Sequence, residues 1–104
     1  MVESDDARVR ALLRTGDLLV KAEDYSGALR AYAEAARWYG STRFPLKAIA
    51  VWKQIRDVVR REAPHETTVD QEARTALVPL FRGLGLEQEA LAIEAERKPS
   101  SSMN

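Results

Sequence analysis

Apolar residues recur at three- and four-residue steps along most of this chain, and the polar breaks between the runs are short. Val9, Leu12, Leu13, Gly16, Leu19 and Val20 follow the spacing of one helix face. They predict a first helix from about Asp5 to Ala22, with Ser4 as N-cap and Asp5 and Asp6 in a first turn where the helix dipole favours acids. After a short turn at Glu23–Asp24, the run Ala28, Leu29, Tyr32, Ala35, Ala36 and Tyr39 predicts a second helix from about Tyr25 to Tyr39, stopped by Gly40–Ser41. Pro45 suits the first turn of a third helix, which turns Ile49, Trp52, Ile55 and Val59 inward and ends before Pro64.

Residues 62–67 make the longest connection. Thr68 followed by Gln71 fits a capping box that opens a fourth helix, whose apolar face carries Val69, Ala73, Ala76, Leu77, Leu80, Phe81 and Leu84. Pro79 within it predicts a kink or an early end. Gly83 and Gly85 bracket a tight turn, and a fifth helix follows from about Leu86 to Glu96. The expectation is one all-α domain over residues 1–98, with a tail at 99–104 that has nothing to bury and is expected to be disordered.

A second pattern runs through these helices. Gly16, Leu19, Tyr25, Ala28, Tyr32 and Ala35 are echoed by Ala36, Tyr39, Pro45, Ala48, Trp52 and Ile55. Small residues let two helix backbones approach, and the large ones fill the gaps between them. The run GDLLVKAEDYSGALRAYAEA and its echo resemble the tetratricopeptide repeat, well over residues 9–61 and loosely beyond. The second unit starts closer to the first than the family's usual period of about 34 residues, so the second helix serves both hairpins. A third unit keeps Val78, Phe81 and Ala90 but has Glu87, Glu94 and Arg97 where aromatic and small residues belong. The resemblance implies a right-handed solenoid of about two and a half hairpin repeats. The strings FPLKAIAVWKQI and GLGLEQEALA also resemble short repeat regions of bacterial multidomain regulatory proteins.

The family holds a peptide of another protein on a concave surface. Carried over by position, that surface bears Arg10, Leu13, Asp17, Val20 and Lys21 from the first helix, Arg30, Ala33 and Arg37 from the second, and Glu72, Thr75 and Arg82 from the fourth. The family's carboxylate clamp has Lys and Asn where this chain has Leu13 and Asp17, so the clamp is absent. The remaining arginines suit bidentate contact with carboxylates, which makes Arg10, Asp17, Lys21, Arg30, Arg37 and Arg82 the candidate partner-binding residues.

Charge leaves an alternative open. The chain is neutral overall, but residues 8–61 hold twelve Lys or Arg against five Asp or Glu. A nucleic-acid-associated regulator could use that middle, although no basic block with interleaved aromatics is present. A structural oligomerisation module is a third reading, because a short solenoid without a polar cap leaves an end to cover.

The remaining chemistry is sparse. The absence of Cys excludes disulfides, thiolate metal sites and a Cys nucleophile. His65 is the single histidine and has no second ligand nearby. Ser100–Ser102 lack triad partners, Glu87, Glu89, Glu94 and Glu96 spread around a helix, and Gly83-Leu84-Gly85 lacks the lysine of a phosphate loop. No enzyme, cofactor or metal is expected. The acidic N-terminus has no apolar run and no stretch reaches membrane-spanning length, so the expectation is a cytoplasmic protein without a membrane partner. Trp52 is expected in the core; Trp38, beside Tyr39, is either a partner contact or packed under the next helix.

Overall fold

The computed structural model describes residues 2–96, with only the backbone of residues 2–4. The tail expected at 99–104 lies outside the described residues, as does Arg97. Five helices follow one another: α1 (Val2–Lys21), α2 (Tyr25–Ser41), α3 (Pro45–Glu62), α4 (Thr67–Gly83) and α5 (Glu87–Ala95), with no strand among the described residues. Each helix packs against the next, and α2 also touches α4. The thinnest dimension of the molecule is 15 Å. That fits two helix layers, since axes lie about 8–10 Å apart and each Cα cylinder has a radius of about 2.3 Å.

Three of the four connections use the same turn. The amide of Asp24 bonds the Leu19 carbonyl at 2.8 Å, Phe44 bonds Tyr39 at 3.0 Å, and Leu86 bonds Phe81 at 2.9 Å. In each, the residue before the donor is left-handed: Glu23 (φ 63°), Arg43 (φ 71°) and Gly85 (φ 77°). This is the Schellman closure, which satisfies the carbonyls of the last helical turn. The donor residue then caps the following helix: Asp24 accepts from the Gly27 amide at 3.1 Å, and Phe44 precedes Pro45 at the first turn of α3.

These turns correct several expected boundaries. α1 begins at Val2, ahead of the Ser4 expected to cap it. α2 runs through Gly40 to Ser41, because the Ser41 and Thr42 hydroxyls both bond the Trp38 carbonyl and the left-handed position falls on Arg43. α4 starts at Thr67 after Glu66, so Thr68 lies inside the helix and makes no cap. α4 also continues past Pro79 to Gly83. Pro79 is exposed, and Thr75, whose carbonyl loses its intrahelical donor, is exposed as well, so water can satisfy that oxygen.

α2 is the helix around which the core is organised. Ala28, Leu29, Ala31, Tyr32, Ala33, Ala35, Ala36 and Tyr39 are all buried on it, because α1, α3 and α4 cover it from three sides. Its alanines admit those backbones closely, while Tyr32 fills the space under Gly16. From the other helices the core takes Val9, Ala48, Ile55, Trp52, Ala73, Leu77, Phe81 and Ala90. Trp52 is thus in the core, as its position in the echoed pattern predicts. Trp38 is half-buried and stacks on Phe44 at 6.1 Å between ring centroids.

Candidate protein-interaction surface

The contact between α2 and α4 leaves a groove of about 230 Å³. On α2, Ser26, Leu29, Arg30, Ala33 and Arg37 recur at helical steps, so one face presents them together. α4 and its cap contribute Glu66, Thr68, Val69 and Glu72. Leu29, Ala33 and Val69 supply apolar lining, and polar groups bridge the two walls. Ser26 donates to Glu66 on one side of the groove. Arg37 donates through Nε (2.7 Å) and Nη2 (2.9 Å) to the two oxygens of Glu72. That bidentate bond holds the Glu72 carboxyl below the usual range, against the opposing effect of partial burial, and raises Arg37 further. Arg30 has no acidic partner among the described residues.

The other expected residues are dispersed. Arg10 pairs with Asp6 along its own helix at 2.6 Å. Asp17 accepts from the Tyr32 hydroxyl at 2.5 Å, and Gln54 donates to the same hydroxyl at 3.2 Å. Burial first, and then the adjacent Asp17, raises the Tyr32 pKa. Lys21, in the last turn of α1, has no acidic partner among the described residues. Arg82 donates to Glu87 at 3.0 and 3.2 Å and to Glu94 at 2.9 and 3.1 Å, tying α4 to α5. Of the expected set, then, Arg30 and Arg37 share a groove, and they do so with Glu72.

Two further clusters lie outside this set, the second of them around Trp38. Arg56 of α3, largely covered, donates to Asp70 of α4 at 3.2 Å and to Glu96 beyond α5. Burial pulls its pKa down, but the bonds it donates to Glu96 and Asp70 outweigh this. The second cluster sits at the α2–α3 turn, where Trp38, Tyr39 and Phe44 meet and the Lys47 ammonium lies 5.1 Å from the Phe44 ring. Its sequence signal is the aromatic spacing Trp38, Tyr39, Phe44 around a turn.

Much of the cationic excess in residues 8–61 is internally matched. Arg8, Arg10, Arg37, Arg56, Arg60 and Arg61 each lie within ion-pair distance of a carboxylate. No helix among the described residues is long and apolar enough to cross a membrane. No family model, curated protein or solved structure matches the chain.

Proposed function

We propose that this chain is a non-enzymatic protein-interaction adaptor, built as a tetratricopeptide-like stack of helical hairpins, that takes a carboxylate-bearing segment of a partner protein in the α2–α4 groove. The observation that carries this reading is the contrast between two neighbouring arginines. Arg37 already holds a carboxylate with two nitrogens, while Arg30, on the same face, has apolar lining beside it and no acidic partner among the described residues. A partner's acidic side chain at Arg30, with an apolar neighbour against Leu29, Ala33 and Val69, would use both the charge and the cavity.

The consecutive packing of five helices and the recurring small–large spacing support the repeat reading. The strings FPLKAIAVWKQI and GLGLEQEALA support a setting in a bacterial regulatory or signalling system. The test is capture of partners on the immobilised chain, followed by affinity measurement with Arg30→Glu. Loss of a charge-assisted bond worth about 1.5–3 kcal/mol predicts at least a tenfold weaker complex. Unchanged affinity would overturn the groove as the binding site.

A further inference from the structure

Among the described residues, the first and last helices each carry a second apolar stripe with no other helix packed on it. Among the described residues α1 packs only on α2, and α5 only on α4. α1 turns Val9, Gly16, Leu19 and Val20 toward the core. At 100° per residue, Ala7, Ala11 and Leu18 fall on the opposite side, and Leu18 is 63% exposed. α5 buries Ala90 and Ile93. Its far side carries Leu91, Ala92 and Ala95 around Gln88, all exposed, with Leu91 at 45%. Each face thus offers one leucine beside alanines, a knob beside shallow holes, with the Gln88 amide as the polar centre of the α5 face.

The flanks of the stripes differ in sign. Beside the α1 stripe stand Arg14 and Lys21, neither with an acidic partner among the described residues, and Arg10. Beside the α5 stripe stand Glu89, which has no cationic partner there, Glu87, which is paired with Arg82, and Glu96, which is paired with Arg56. The unmatched charges are Arg14 and Lys21 on one face and Glu89 on the other, so an α1–α1 contact would set cations against cations and an α5–α5 contact Glu89 against Glu89. Only α5 of one copy against α1 of another matches sign as well as shape.

We propose that this chain self-associates head to tail, the outer face of α5 docking on the outer face of α1 of a second copy, so that the helix stack continues from one molecule into the next. A heterologous contact of this kind leaves a free face at each end and does not close at a dimer unless its rotation happens to form a ring. A helix as short as α5 buries less than the roughly 1,200 Å² of a stable interface, so assembly is expected at concentrations on the order of 0.1–1 mM.

Sedimentation equilibrium of the full chain tests this with two variants that each spoil one face, Leu18→Glu and Leu91→Lys. Both sites are exposed, and circular dichroism checks that the helices persist. The expected result is a wild-type average mass that rises with concentration beyond twice the 11.7 kDa monomer. Each variant alone stays monomeric, and an equimolar mixture stops at the dimer, because one intact α5 face meets one intact α1 face. If Leu18→Glu fails to fold, Arg14→Glu replaces it and is expected to weaken association at least tenfold. A wild-type chain that stays monomeric at about 1 mM, a single variant that still dimerises, or a mixture that stays monomeric would each overturn the proposal.

Discussion

The ring of Tyr32 lies directly against the backbone of Gly16: a Cβ placed on Gly16 would sit 2.4 Å from Cε1 of Tyr32. The residue that makes the first hairpin close is thus the absence of a side chain on α1, matched to a fully buried aromatic on α2 that reaches on to Asp17. Gly16→Ala should destabilise despite alanine's better helix propensity. Overpacking costs about 1–3 kcal/mol, and the propensity gain recovers about 1. In a Tyr32→Leu background the conflict disappears, and the same change should become neutral or stabilising. Urea melts of the four proteins in this cycle measure the coupling; strict additivity would show that the two residues do not meet.

The left-handed turn residues give a prediction of opposite sign. Arg43 is exposed and holds φ 71°, a conformation that costs an L-residue about 1–2 kcal/mol and glycine almost nothing. Arg43→Gly should therefore raise stability by about 1 kcal/mol after allowing for the greater freedom of the unfolded chain. In a domain of this size that is a Tm increase of about 4–8 °C. A lower Tm would contradict the assigned turn.

These turns mark where the sequence could and could not be read. The helices were legible because their apolar faces repeat cleanly, and the small–large spacing that includes Gly16 and Tyr32 was legible with them, while the contact of that glycine with that ring emerges only from the packing of α1 on α2. The end of α2 was not: a glycine at position 40 reads as a stop, while the residue that turns left-handed is an arginine whose type carries no such signal. The groove was half legible. The resemblance to the repeat family named Arg30, Ala33 and Arg37 together and Glu72 apart from them, but the wall that faces them depends on how α4 lies across α2. The Arg56 network was invisible for the same reason, since its partners Asp70 and Glu96 lie far along the chain and meet it only through packing.

The Arg37–Glu72 bond makes part of the stability depend on acid. Because the folded state lowers the Glu72 pKa, the contribution is fully present above the unfolded carboxyl value and is lost as pH falls through the folded one. Both side chains are partly exposed, so about 0.2–1 kcal/mol is expected at neutral pH. Wild type should be more stable than Glu72→Gln at pH 7, and the gap should close below about pH 4. A gap that persists in acid would assign the stabilisation to something other than the charge.

α5 depends on few contacts: it is short, buries Ala90 and Ile93, and is tied to α4 through Arg82. Its amides should exchange faster than those of α1–α3, and Arg82→Ala should quicken α5 further while leaving α2 and α3 unchanged. Hydrogen exchange read residue by residue checks both; uniform protection across the chain would contradict them.

The groove is tested most directly by where a ligand lands. Peptides selected from a random library for binding to the wild-type chain are titrated into the isotopically labelled protein, and amide shifts are mapped by NMR. The expected result is peptides that combine Asp or Glu with an apolar residue, shifts centred on Leu29, Arg30, Ala33, Arg37, Val69 and Glu72, and binding at least tenfold weaker to Arg30→Glu. Shifts centred instead on the aromatic corner of Trp38 and Phe44 or on the outer faces of α1 and α5, with Arg30→Glu binding as well as wild type, would contradict it.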